Sequence, residues 1–263
     1  MNLKNTIIRV LFFGVLLGIL MMIVGRVFHL SEDSLFMTLI ISYIVFIIIM
    51  IPYQMRKRKL LTHKMGALLR KLDKGDIDNY IIGMKKLLNE TEDKYLKSML
   101  TINMAIGYTL KGEFEQANAY LECIDVNSID KRSQMLLYNN ITLNVFWAGE
   151  TKKACVIMEC YEDFLKEGLK LPYFKNSVGE TFALWSFALG KREQGFTYLE
   201  NIIKEETTKS MEKQSAQVLW AKEKIADNEI TEAEKLLKYI FDNTQIPYIK
   251  KEAENILQKL NQL

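Results

Sequence analysis

The chain of 263 residues is long enough for two domains, and its composition changes after residue 59. Residues 1–59 hold seven of the 35 Lys and Arg residues but only two of the 32 Asp and Glu residues, so this part carries +5 and the remainder −2. A near-neutral remainder argues against nucleic acid as a partner, because phosphate binding relies on clustered basic side chains.

Two uncharged apolar runs occupy residues 10–25 and 35–53. With its apolar flanks, the first predicts a transmembrane helix at about residues 7–28, and the second predicts another at 35–53. At a rise of about 1.5 Å per residue, the second run covers roughly 28 Å, close to the thickness of the hydrocarbon layer. The first run is followed by no small-x-small cleavage site, so we expect residues 1–59 to be a retained two-helix membrane anchor.

Lys and Arg placement predicts the orientation of this anchor. Lys4 and Arg9 precede the first run, whereas the segment between the runs offsets Arg26 with two acidic residues. The second run is followed by the basic cluster Arg56, Lys57, Arg58 and Lys59. The positive-inside rule then predicts a multi-pass protein of the cell membrane with both termini in the cytoplasm. We expect the basic cluster to contact lipid head groups.

Small residues follow one face of each predicted span. Gly14 and Gly18 form a GxxxG motif with Gly25 seven residues further on, and the second span carries Thr38 and Ser42. Such faces allow helix backbones to approach closely in lipid. The two spans either pack on each other as a hairpin or use these faces for homo-oligomerisation or for docking on another membrane protein.

From residue 60 onward a helix-turn-helix joint recurs. Its turn residues are Gly75, Gly112, Gly149, Gly190 and Asn228, at intervals of 37 to 41 residues, and each lies between two helical apolar patterns. Such a period predicts a repeat protein. Residues 168–172 add length before Gly190, and Pro172 is expected to open the next helix. Pro247 is expected to open a last helix that caps the stack.

The second unit carries Ala105, Tyr108, Gly112 and Ala117. These residues resemble the tetratricopeptide repeat (TPR), which has a small residue, an aromatic, a turn and a contact alanine at these positions. The intervals exceed the family's repeat of about 34 residues, and Tyr80 replaces the contact alanine in the first unit. The resemblance implies an all-α protein, in which the transmembrane hairpin is followed over residues 60–263 by a cytoplasmic TPR-like α-solenoid of about five helical hairpins and a capping helix.

In the TPR family the first helix of every hairpin lines a concave groove. The register places Asn103 and Asn140 at the same groove position, where amides can hold a peptide backbone, although local hydrogen bonding is the alternative. The candidate partner-binding residues of the groove are Asn103, Asn139, Asn140, Leu143, Phe146, Trp147, Glu180, Leu184, Phe187 and Lys222. Aromatics at helical spacing are core residues more often than ligand contacts, but Phe146 and Trp147 are adjacent and do not share a helix face, so one of them can face the groove.

Catalytic chemistry has little support in the sequence. His29 and His63 are the only histidines, and the chain has neither a P-loop nor a G-x-G-x-x-G motif. Cys123, Cys155 and Cys160 lack metal-site spacing and are expected to be free, buried thiols. We therefore expect no enzymatic activity, cofactor or metal.

These observations favour a bacterial-type membrane-tethered adaptor or scaffold that recruits protein or peptide partners through a helical groove. One alternative is an accessory or regulatory subunit of an integral membrane complex, which docks through the transmembrane hairpin. A second alternative is a peptide-sensing receptor.

Overall fold

The computed structural model describes residues 3–28 and 31–262, and the side chains of residues 3–11, 32, 35, 54, 57 and 58 lie outside the described part. Over this range the chain is all-α, with twelve α-helices and two short 3₁₀ segments. The α-helices are α1 (Leu3–Val27), α2 (Glu32–Asp73), α3 (Ile77–Asn89), α4 (Lys94–Lys111), α5 (Phe114–Glu122), α6 (Lys131–Trp147), α7 (Thr151–Lys166), α8 (Lys175–Ala188), α9 (Arg192–Lys204), α10 (Ser210–Ala226), α11 (Ile230–Asn243) and α12 (Pro247–Leu260).

The chain divides into two compact units, residues 1–67 and 68–263. The domain boundary that composition places after residue 59 stays a prediction. Helix α2 is continuous from Glu32 to Asp73 and contains Pro52, so the apolar run and the helix before the first turn belong to one element rather than two.

In the first unit, α1 contacts the apolar part of α2. A Cβ placed on Gly14 would lie 3.1 Å from the Tyr43 ring, and one on Gly18 would lie 3.6 Å from Leu39. Among the described residues, one segment, Phe36–Tyr53, is long and apolar enough to cross a membrane, with a mean hydropathy of 2.4, while the apolar stretch Phe12–Val27 is shorter. The transmembrane helix expected at residues 7–28, and with it the two-span anchor, therefore stays a prediction.

The second unit is built on the five joints that the sequence predicts, and all five are confirmed. Gly75, Gly112, Gly149 and Gly190 have φ between 73° and 81°, and Asn228 has φ 65°. The Gly112 N–H donates to the Thr109 carbonyl, and the Glu113 N–H donates to the Tyr108 carbonyl, both at 2.9 Å. The other four joints repeat this pair of hydrogen bonds. This is the Schellman motif, which satisfies the last carbonyls of one helix and reverses the chain.

Helices of the second unit pack in chain order, each hairpin on the next. In the second hairpin Ala105 and Ala117 are fully buried, as expected for small residues where two helices touch. In the first hairpin Tyr80 is also fully buried, and its hydroxyl donates to the Asn103 carbonyl at 2.7 Å. A Cβ on Gly107 would lie 3.0 Å from the Tyr80 ring, so the missing side chain at Gly107 makes room for the aromatic that replaces the contact alanine.

The extra length before the fourth hairpin differs from the expectation. Residues Glu167–Lys170 form a 3₁₀ segment, and α8 begins at Lys175, so Pro172 lies in the preceding turn instead of opening the helix. Gly168 is buried where a Cβ would lie 2.8 Å from Met135 and 2.9 Å from Val178. The 3₁₀ segment can pass this close to α6 and α8 because residue 168 has no side chain.

The first helices of the hairpins form an inner layer. Helices α4, α6, α8 and α10 contact one another in series, and α12 continues the series by packing on α10 and α11. Helix α12 begins at Pro247, as predicted, but it also contacts α4. The inner layer is therefore a closed ring of α4, α6, α8, α10 and α12, rather than an open groove ending in a cap.

Candidate functional site

The ring is closed by an aromatic clasp, which we define as Phe114, Trp147 and Tyr248. The Tyr248 ring lies edge-on to Phe114, with centroids 4.9 Å apart, and stacks on Trp147 at the same centroid distance. A Cβ on Gly112 would lie 3.4 Å from the Tyr248 ring, so the second joint forms the floor of the clasp. The first residues of α12 are thus held against the second hairpin and the end of α6.

A second contact closes the ring beside the clasp. The segment before α12 rests on the first joint, since a Cβ on Gly75 would lie only 2.5 Å from the Gln245 carbonyl oxygen. Only glycine fits here, because both its positive φ and the neighbouring carbonyl exclude a side chain. The C-terminal part of the chain therefore touches turns that precede it by more than one hundred residues.

A partly open cavity of about 100 Å³ lies in the inner layer, between α6, α8, α10 and α12. Five predicted groove residues line it: Phe146, Trp147, Glu180, Leu184 and Lys222. The sequence analysis missed the remaining lining residues, which include Ser215 from α10 and Tyr248, Ile249 and Glu252 from α12. A volume of this size holds a few waters and has no room for an extended peptide.

Glu180 is the buried charge of this cavity. Its side chain is 5% exposed, and Ser215 Oγ donates to Glu180 Oε1 at 2.7 Å. Burial raises the pKa of Glu180 to about 7, with a smaller contribution from the negative charge of Glu212. The carboxyl group can therefore gain or lose its proton near neutral pH while it stays inside the ring.

Across the cavity, α10 and α12 are joined by an ion pair between Lys222 Nζ and Glu252 Oε1 at 3.2 Å. Glu252 lies one helical turn after Tyr248, so both side chains occupy one face of α12. Burial and the charges of Glu252 and Glu180 raise the pKa of Tyr248, so its phenol stays protonated in the physiological range. The α12 face thus offers an aromatic ring and a carboxylate to the inner helices.

Asn103 and Asn140, the two members of the expected asparagine ladder, differ in their hydrogen bonding. Asn103 Nδ2 donates to the Met99 carbonyl of its own helix at 2.8 Å, which matches the local alternative. In the described part of the chain the buried Asn140 Nδ2 has no hydrogen-bond partner. Of the two amides at this groove position, Asn140 is therefore the one whose N–H is still available to donate to a ligand.

Three other candidates make internal contacts instead of lining the cavity. Asn139 Nδ2 donates to Ser177 Oγ at 2.8 Å, and Thr181 Oγ1 donates to Asn139 Oδ1 at 2.9 Å, which ties α6 to α8. Phe187 packs within its own hairpin, with its ring centroid 5.2 Å from that of Phe196. Leu143 is 7% exposed, as a core residue would be.

The other small residues predicted to pack the membrane helices differ in their exposure. Gly25 is buried, whereas Thr38 is exposed and donates to the Ser34 carbonyl at 2.7 Å, and Ser42 is half-buried. In the basic cluster Arg56 and Lys59 are exposed, and the side chains of Lys57 and Arg58 lie outside the described part.

The thiols differ from the expectation of burial. All three cysteines are free, but Cys123 and Cys160 are exposed and Cys155 is half-buried. Cys123 and Cys160 face solvent, whereas Cys155 packs against the apolar core between α6, α7 and α8. In the described residues, no group of three or more His, Cys, Asp or Glu side chains is placed to hold a metal ion.

No protein-family model, curated protein or solved structure matches this chain significantly. The likeness to the TPR family thus stays a prediction from the left-handed joints and the contact alanines.

Proposed function

We propose that this chain is a membrane-tethered, TPR-like adaptor that recruits protein partners through the inner face of a helical solenoid. The observation that carries the proposal is the convergence of five predicted groove residues, from three different hairpins, on one cavity. The half-buried Trp147, the buried carboxyl group of Glu180 and the exposed Lys222 lie together at this cavity. A hydrophobic core that only stabilises the fold does not require this combination. Buried polar groups in a concave pocket lined by apolar side chains are typical of recognition sites.

The inner face has the chemistry of a protein-binding surface. Trp147, Leu184 and Tyr248 are half-buried at the cavity, and Lys222 remains exposed on its rim. Aromatic side chains contribute much of the energy at protein interfaces because they bury a large area with few rotatable bonds. The proposal therefore assigns the chain a binding role instead of a catalytic one.

The tether is the apolar part of the first unit. No residue of Phe36–Tyr53 is buried by protein, as expected for side chains that face lipid. Gly14 and Gly18 lie against Tyr43 and Leu39, which favours the hairpin interpretation over docking of the glycine face on another membrane protein.

Thiol labelling in intact cells tests the cytoplasmic placement. Cys123 and Cys160 are exposed, so an impermeant maleimide should label them without denaturation once the cells are permeabilised. The expected result is no labelling in intact cells and complete labelling after permeabilisation. Labelling of intact cells would overturn the proposed orientation.

Cross-linking with full-length variants tests recruitment. Trp147→Ala with Lys222→Glu should abolish a specific cross-linked partner, while Tyr239→Ala, which removes an exposed aromatic from α11, should retain it. Gly14→Ile with Gly18→Ile should also retain the partner. The reverse pattern, with loss only in the glycine variant, would reject groove recruitment in favour of an accessory subunit that docks through its membrane helices.

A further inference from the structure

We propose that α12 holds the groove shut, and that a partner opens it by placing its own aromatic side chain against Phe114 and Trp147 in place of Tyr248. This inference rests on the proposed recruitment function and adds to it a regulatory step and the chemistry of the partner. It follows from three features of α12: two separable faces, few contacts across the ring, and a side-chain pattern that a partner can reproduce.

Helix α12 uses different residues for stacking and for closure. Its buried stripe is Ile249, Ala253 and Ile256, and the helix packs most extensively on α11. Tyr248 instead contacts Phe114 of the second hairpin and Trp147 at the end of α6. Because the two sets of contacts are made by different side chains, the clasp can open while α12 stays stacked on α11.

The closure depends on few contacts. Tyr248 makes two of the three aromatic pairs of the clasp, since Phe114 and Trp147 also pack on each other with centroids 5.9 Å apart. The neighbouring loop adds the approach of Gln245 to Gly75, and α12 also packs on α4. Two such aromatic pairs shift an equilibrium by roughly ten- to a hundredfold, far less than the stability of a whole domain. A ligand of moderate affinity that binds only the open form can therefore supply this difference.

The side chains of α12 also indicate what kind of segment could take its place. Tyr248 packs against both the Phe114 and the Trp147 ring, and Glu252, one turn later, pairs with the exposed Lys222 on the rim. A helical segment with an aromatic residue and a carboxylate four positions later would satisfy both sites. The partner class is thus an acidic, aromatic amphipathic helix that competes with α12.

A reversible disulfide provides a direct test in the full-length protein. A Cβ on Gly112 would lie 4.0 Å from the Tyr248 Cβ, within the range of about 3.5–4.5 Å for disulfides. In a background with Ser at Cys123, Cys155 and Cys160, the pair Gly112→Cys and Tyr248→Cys is locked when oxidised. When it is reduced, the same variant has neither the disulfide nor the Tyr248 ring, so nothing holds the clasp closed. Gly112→Cys alone is the matched control, because it carries the same strain at φ 80° but keeps Tyr248.

The probe is a fluorescent peptide with the sequence of residues 244–260, and the measurement is anisotropy. We expect the reduced pair to bind at least about tenfold more tightly than the oxidised pair, and a Tyr248→Ala peptide to bind at least about tenfold more weakly than the parent. The single-cysteine control should bind equally under both conditions.

Equal affinity in both redox states, or equal affinity of the two peptides, would overturn the inference. Far-ultraviolet circular dichroism of the oxidised and reduced forms shows whether the solenoid is folded in both. Failure of the clasp is distinguishable from failure of recruitment. If Trp147→Ala with Lys222→Glu loses its cross-linked partner while the redox state has no effect, recruitment stands and the clasp is rejected.

Discussion

Glu180→Gln should make the protein more stable at alkaline pH than the unmodified chain. The substitution keeps the size of the side chain and the oxygen that accepts from Ser215, whose Oγ lies 2.7 Å from Glu180 Oε1. It removes only the ability to ionise. Glu180 is 5% exposed, so in the folded protein its negative charge has almost no water to solvate it.

The magnitude follows from the pKa. Burial raises the pKa of Glu180 from 4.5 to about 7, and one pKa unit corresponds to about 1.4 kcal/mol. Because the folded state holds the proton more tightly, the favourable contribution is complete at acidic pH and is lost as the pH rises from about 4.5 to about 7. Above that range the ionised Glu180 lowers the free energy of unfolding by about 3 kcal/mol, and a glutamine at this position does not.

Thermal unfolding of the full-length protein in detergent, followed by intrinsic fluorescence, measures this difference. Near pH 5 the two proteins should unfold at similar temperatures, and at pH 8 the variant should unfold about 6–12 °C higher. Glu193→Gln, the same chemical change at an exposed position of α9, should follow the unmodified protein throughout. Parallel profiles for Glu180→Gln and the unmodified chain would refute the assignment of this pH dependence to the buried carboxyl.

Four further substitutions test the joints and the contacts between hairpins by thermal unfolding. Gly149→Ala should cost about 1 kcal/mol, because its φ of 81° disfavours a side chain although nothing lies within 4 Å of a Cβ there; an unchanged midpoint would contradict this. Asn228→Gly should leave the midpoint within about 2 °C, since asparagine already tolerates φ 65°; a large loss would mean that the Asn228 side chain has a role of its own. Asn139→Ala should cost about 2 kcal/mol because it removes both side-chain hydrogen bonds between α6 and α8, to Ser177 and to the buried Thr181, while Asn103→Ala should cost less than about 1 kcal/mol; equal losses would contradict the contrast.

The joints could be predicted from the sequence because their cause is local. A Schellman turn needs one residue in the left-handed region, and glycine or asparagine supplies it without regard to distant parts of the chain. Gly75 and Asn228, at the two ends of the series, therefore adopt the same conformation as the three joints between them. The start of α12 at Pro247 is local in the same way.

The site was predictable only where helical register decides it. Counting from each turn places Phe146, Glu180 and Lys222 on the inner face, and all three line the cavity. Asn139 was assigned with Asn140, but adjacent positions do not share a helix face, and Asn139 lies between α6 and α8. One signal for the missing part was available, since α12 carries Tyr248 and Glu252 beside the stripe of Ile249 and Ala253.

Ring closure could not be predicted, because it depends on how small rotations between hairpins add up. Each interface sets a rotation that the sequence pattern does not specify, and four interfaces separate α4 from α12 along the inner layer. The intervals of 37 to 41 residues exceed the family's period of about 34, which makes extrapolation from the regular family superhelix still less secure. A capping helix was therefore expected at the end of an open groove.

Closure gives α12 two roles, and this determines which perturbation is informative. In a repeat protein the terminal helix covers the last apolar surface, and removal of α12 would expose the part of α11 that it covers. The same truncation would also open the clasp, so a change in binding could come from either effect. A substitution of Tyr248 separates the two roles. It removes the contacts of the aromatic side chain with Phe114 and Trp147, and it keeps the buried stripe of Ile249, Ala253 and Ile256. Binding that responds to the Tyr248 contact alone would therefore come from access to the groove and not from loss of the cap.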